Sequence, residues 1–164
     1  MGIHQKLRIV LLGAALGCFS LTLSAHETAS DQSESGEPKT TQKKPLDRSG
    51  KPAKGKASYY GKEFFGRTMA DGTPMDPDSN IAASRTLPLG TKAKVTNLDN
   101  GKSAVVEIRD RGPYVDGRIV DLTPKTAEEL DMLTEGVVPV EVTPIEVPQR
   151  DGSIKLGAAA SNAE

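Results

Sequence analysis

Apolar residues along this chain recur mainly in alternation with polar ones, and only one stretch follows helical spacing. Lys92–Leu98 sets Ala93, Val95 and Asn97 between polar neighbours, which predicts a half-buried strand. Asn100-Gly101 then predicts a type I′ turn into a second strand over Ser103–Ile108. Lys56–Tyr60 (KASYY) and Arg118–Leu122 also read as strands, and Val137–Val147 closes the pattern with Val138, Val140 and Val142 alternating. Pro139 and Pro144 assign that last strand to an edge or a bulge, because proline cannot donate to a ladder. The helix is expected after Asp121. Thr123 caps it, Pro124 opens it, Ala127, Leu130, Met132 and Leu133 form its apolar side, and Gly136 stops it. Between these elements, Gly61–Gly66 carries Phe64 and Phe65 on a short loop, and Met69–Asn80 reads as a long Gly/Pro/Asp-rich one. Gly90-Thr-Lys-Ala-Lys-Val faintly echoes Gly136-Val-Val-Pro-Val-Glu, a hint of two related halves. Several short strands with one helix suit a closed barrel, which hides the edges a small sheet cannot protect.

The ends of the 164-residue chain have a different texture. Residues 1–25 read as a secretory signal: Lys6 and Arg8, an apolar run from Ile9 to Leu23, then Leu23-Ser24-Ala25 as a cleavage site. Two alternatives stay open, a retained anchor and a lipoprotein-type signal in which Cys18, the single cysteine, is acylated. Residues 26–54 hold almost no large apolar side chain and read as a disordered linker. The folded domain is expected over 55–147, and 148–164 as a flexible tail.

Composition then narrows the chemistry. A net charge of -1 gives no reason to expect nucleic acid as a partner. The two histidines, His4 and His26, and Cys18 all precede the folded segment. That argues against a zinc site of the usual kind and excludes Ser-His-Asp and Cys-His catalysis, and no metal or other cofactor is expected. Carboxylates, tyrosines and lysines remain for proton transfer. They concentrate in VVEIRDRGPYVDGRIVDL (105–122), where the Gly112-Pro113 turn separates Asp110 from Asp121 amid Arg109, Arg111, Arg118 and Tyr114.

Four blocks, ASYYG (57–61), FFGRTMADGTPMD (64–76), AASRTLPLGTKAKVTNLDNG (82–101) and VVEIRDRGPYVDGRIVDLT (105–123), together resemble the rare lipoprotein A (RlpA) family of bacteria. The resemblance implies a mainly β fold, a small six-stranded double-psi β-barrel with one or two short helices. It also implies a monomer in the periplasm or cell envelope whose partner is peptidoglycan glycan, with the membrane reached only through a lipid anchor. The implied activity is that of a lytic transglycosylase on strands stripped of stem peptides. An acid protonates the glycosidic oxygen, and a base then takes the C6 hydroxyl proton of the same sugar, closing a 1,6-anhydro end.

The family's catalytic segments, Gly-Glu-x-x-Asp and Ala-Ala-His, fall on Gly72–Asp76 and Ala82–Ser84. Asp76 is kept, whereas the glutamate and histidine positions are Thr73 and Ser84, which do not exchange protons near pH 7. The resemblance therefore makes Asp76 the principal acid/base, with Asp110 or Asp121 assisting as further catalytic candidates. Thr73, Ser84, Arg85, Arg109, Arg111, Tyr60 and Tyr114 are the substrate-binding ones. Arginines gathered on one side, Arg67 and Arg118 included, would suit the lactyl carboxylates of muramic acid. A non-catalytic, expansin-like wall-loosening or glycan-binding barrel is the alternative function.

Overall fold

The structure, a computed structural model, describes residues 45–160. The expected signal segment, Cys18 and most of the expected linker lie outside the described residues. Seven strands form one sheet in the order β1-β5-β2-β4-β3-β6-β7, and pairing of β1 with β6 closes the first six into a barrel. They run β1 Ala53–Tyr59, β2 Ile81–Ala83, β3 Lys92–Asn97, β4 Ser103–Asp110, β5 Arg118–Leu122, β6 Val138–Pro148 and β7 Ile154–Leu156. β1 runs parallel to β5, and β2 parallel to β4; the remaining pairs are antiparallel. Exchanging β1, β2 and β3 with β4, β5 and β6 leaves the pairing pattern of the barrel unchanged. This internal twofold gives the faint sequence echo its basis, since Gly90 and Gly136 lead into the equivalent strands β3 and β6. The barrel is the mainly β double-psi fold that the sequence resemblance implies.

Alternation fills the interior. Ala93 and Val95 from β3, Val106 and Ile108 from β4, Val120 and Leu122 from β5, and Val138, Val140 and Val142 from β6 are all buried. Leu130 and Met132 cover this core from the helical side. Burying each of these valine, isoleucine, leucine and methionine side chains contributes about 1.5–3 kcal/mol over leaving it in water.

The helix is shorter than its apolar pattern predicts. α1 covers Pro124–Glu129 with Thr123 as its cap, the Thr123 side chain accepting from the Thr126 N–H. Asp131, at φ 54, takes the left-handed position that ends the helix, with Asp131 N–H on the Glu128 carbonyl and Met132 N–H on that of Ala127. Leu133, expected on the apolar side, is exposed in consequence.

The β3–β4 turn is not type I′. Gly101 alone has positive φ there, so the chain turns through the longer loop that follows Asn97. β6 is no edge strand either, because β1, β3 and β7 all pair with it. Pro144 does sit at an irregularity in the β3 ladder, where a missing N–H is tolerated.

Both predicted domain boundaries move outward. Within the segment expected as linker, Asp47 N–H bonds the Thr86 carbonyl and β1 begins at Ala53. Within the segment expected as a flexible tail, β7 pairs with β6, and the Ala158 N–H reaches the Gly50 carbonyl. A Cβ built on Gly50 would stand 3.1 Å from the Gly157 Cα, so the missing side chains allow the two segments this close approach.

Candidate active site

Register assembles the site. Ala83, at the end of β2, is paired with Asp110 of β4 on one side and Asp121 of β5 on the other. Two strand spacings separate the two aspartates, about 10 Å between backbones. Ser58 of β1 lies beside Asp121 in the parallel ladder. The small Ala83 methyl thus floors a groove of about 450 Å³ whose lining includes Ser58, Tyr60, Phe64, Asp110, Arg118 and Asp121. The loop after β4 forms a further wall. Gly112, at φ 146 and preceding a cis proline, brings backbone up to the acid: a Cβ there would stand 3.9 Å from Asp121 Oδ2.

The two carboxylates are wired differently. Asp121 Oδ1 accepts a hydrogen bond from Ser58 Oγ, and Ser58 Oγ accepts from Arg118 Nη1 at 2.8 Å. One oxygen of Asp121 is thereby oriented by a charge-backed hydroxyl, while Oδ2 is left toward Gly112. Asp110 is occupied by the protein itself. Its Oδ2 accepts from Tyr60 Oη at 2.9 Å, and its Oδ1 from the Ala70 and Arg111 N–H groups at 3.0 and 2.8 Å. Asp110 therefore latches the loop containing Ala70 to the end of β4. Burial, the hydrogen bond to Asp110 and the charges of Asp110 and Asp121 push the Tyr60 phenol far above its ordinary range, so it stays a donor. Arg111 Nη1 bonds the Ser84 and Leu87 carbonyls at 2.8 and 2.6 Å. Burial lowers its guanidinium from its ordinary value, against the opposing pull of Tyr114 and Asp110.

A family model described as lytic transglycolase matches residues 52–142, β1 through to the middle of β6. The chain belongs to that family. "Probable endolytic peptidoglycan transglycosylase RlpA" of Treponema pallidum (strain Nichols) is 49% identical over 88 residues, covering 54% of this chain and 28% of that protein. "Endolytic peptidoglycan transglycosylase RlpA" of Vibrio cholerae serotype O1 is 45% identical over 98 residues, covering 58% of this chain and 37% of that protein. The chain thus matches well under half of these curated relatives' lengths. Among solved structures, "Streptomyces papain inhibitor (SPI)" superposes with a TM-score of 0.45 at 26% identity, over 56% of this chain and 92% of that one.

Within this lytic transglycolase domain the groove gathers Asp110, Asp121, Arg111, Tyr60 and Tyr114, the last standing 77% exposed at the rim. Other candidates fall outside its lining. Asp76 is exposed, and its Oδ1 accepts the Asp78 N–H in a local turn. Thr73 donates its N–H and hydroxyl to Asp71, which also pairs with Arg109. Burial opposes, but those bonds and Arg109 together hold the Asp71 carboxyl below its ordinary value. Arg109 is committed to Glu107 as well, at 3.3 Å, and among the described residues Arg85 reaches only the Arg118 carbonyl, at 3.4 Å. Ser84 is buried, its Oγ accepting the Thr86 and Leu87 N–H groups as a turn cap. Sequence reasoning missed Ser58, and treated Arg118 as a neighbour of Asp121 and as one of the arginines suited to a glycan carboxylate, not as the donor to Ser58. The available signal was the alternation in ASYYG, but it points at Asp121 only once β1 and β5 are known to pair.

Proposed function

We propose that this domain is a peptidoglycan lytic transglycosylase of the RlpA type that cleaves glycan strands, releases 1,6-anhydro-N-acetylmuramic acid ends, and uses Asp121 as the acid and base. The observation that carries this reading is the pairing of Asp110 and Asp121 across Ala83 in one groove, with Asp121 Oδ1 oriented by the Arg118–Ser58 chain. Asp121 gives its proton to the glycosidic oxygen as the bond breaks. It then accepts the C6 hydroxyl proton as that oxygen closes onto C1, so one carboxyl group serves both steps and no water attacks. Asp110, held by Tyr60 and two backbone N–H groups, supplies fixed negative charge for the oxocarbenium-like transition state. This assignment moves the principal role from Asp76, whose carboxylate closes its own turn, to Asp121. A glycan substrate places the protein in the cell envelope, in keeping with the relatives named for peptidoglycan.

A second reading, glycan binding without cleavage, has one observation in its favour: the positions that carry glutamate and histidine in the family are Thr73 and Ser84, neither in the groove. Incubation with peptide-free sacculi separates the two readings. Anhydro-ended fragments in the soluble products support cleavage; saturable sedimentation with sacculi and no such fragments supports binding alone.

A further inference from the structure

A second depression of about 240 Å³ adjoins the groove, and the two share Tyr60, Phe64 and Asp110 as a common wall. Its far side is formed by Arg67, Thr68, Met69 and Met75. Met69, Met75 and Tyr60 belong to a small apolar cluster beneath the loop, which fixes the floor of the depression. The loop itself is pinned at both sides of Arg67, by Arg67 N–H on the Phe64 carbonyl and Met75 N–H on the Arg67 carbonyl.

Arg67 is the unusual member. Its guanidinium carbon lies 5.6 Å from the centroid of the Phe64 ring, and Phe64 in turn packs tilted against Tyr60 at 5.7 Å. Among the described residues its guanidinium has no carboxylate and no hydrogen-bond acceptor. Arg111 and Arg118, by contrast, spend N–H groups on Ser84, Leu87 and Ser58. The cation–π contact places the guanidinium over the Phe64 ring, and its N–H groups meet no acceptor among the described residues. A planar fork held in this way is matched to a carboxylate.

We infer that the depression beyond Asp110 is a subsite for an acidic sugar, in which Arg67, braced on Phe64, reads the free lactyl carboxylate of a muramyl residue. The inference rests on the glycan-cleaving function proposed above and deepens it. In a strand that still bears its stem peptide that carboxylate is an amide, which offers the fork no charge. Arg67 is then a specificity-determining residue: it selects peptide-free glycan and takes no part in proton transfer.

The test measures affinity for two strands that differ only at that group. Peptide-free glycan from amidase-treated sacculi is titrated as such, and again after its carboxylates are converted to methylamides. The full-length protein carries Asp121→Asn so that strands stay whole during titration. The free acid is expected to bind about fivefold more tightly than the methylamide. Adding Arg67→Gln should bring that ratio to about one with an unchanged melting temperature, and Arg67→Lys should restore part of it. Equal affinity for the two strands, no affinity for either, or a ratio that survives Arg67→Gln overturns the inference. Failure of the proposed reaction reads out separately, as missing anhydro ends from the protein with Asp121 intact.

Discussion

Replacing Tyr60 by phenylalanine removes one oxygen atom from the wall of the groove and leaves Asp110 Oδ2 without the donor that meets it at 2.9 Å. A hydrogen bond to a charged acceptor contributes about 1.5–3 kcal/mol, so Tyr60→Phe is expected to lower unfolding free energy by about that amount at pH 7. The loss should then shrink in alkali. The folded state holds this phenol protonated well above its ordinary range, chiefly through burial and then through Asp110. Below about pH 10 both states keep the proton and the contribution is complete. Above it the unfolded chain releases the proton while the fold retains it, so the unfolded state binds fewer protons and stability falls by about 1.4 kcal/mol per pH unit. The variant has no such group and lacks that component; every other titration is common to both proteins. Urea unfolding of the two proteins at pH 7, 10 and 11 measures the difference directly, with a 295 nm titration reporting a phenol that stays un-ionised until the fold is lost. A gap that stays constant from pH 10 to 11, or ionisation of all three tyrosines in the folded protein, would refute the reasoning.

Three further substitutions probe the frame around the site. Gly112→Ala puts a methyl near Asp121 Oδ2 on a backbone at φ 146; it should cost roughly 1–3 kcal/mol in unfolding free energy and reduce turnover of peptide-free sacculi. Gly157→Ala drives a Cβ into the Pro144 carbonyl, so a calorimetric loss of roughly 1–3 kcal/mol is expected although the residue lies beyond the region matched by the family. Leu130→Ala empties a fully buried position between α1 and the barrel and should cost about 2–5 kcal/mol by denaturant unfolding, with glycan affinity retained at temperatures where the variant is folded.

The strands were legible because the barrel interior imposes a period of two on β3, β4 and β6, and each of those runs carries it openly. Helix α1 was legible at its start, where Thr123 and Pro124 are local signals, but not at its end. There an aspartate, not a glycine, takes the left-handed position. The turn at Asn100-Gly101 was over-read for the same kind of reason: a dipeptide preference yields to the loop length the two strands require. Of the site, Asp110 and Asp121 were visible as two acids around a Gly-Pro turn. Their separation was not, since it depends on a three-residue strand, β2, slipping between β4 and β5. Asp76 was visible only through its place in the family's sequence pattern; in the structure its Oδ1 accepts the Asp78 N–H in a turn outside the groove lining. Ser58 carries no local mark of function, and acquires its role only through a ladder to a strand more than half the domain away.

The account stands on Asp121 as the proton-transferring carboxylate of the groove, and two variants assayed side by side test this most directly. Peptide-free sacculi are digested with the parent protein, Asp121→Asn and Asp76→Asn, and anhydro-ended products are counted by mass spectrometry. Asp121→Asn is expected to lose about 10²–10⁴-fold in rate, as removal of a general acid–base group does, while Asp76→Asn stays within a few-fold of the parent. Undiminished cleavage by Asp121→Asn, or its abolition by Asp76→Asn in a protein that is still folded, would contradict the account.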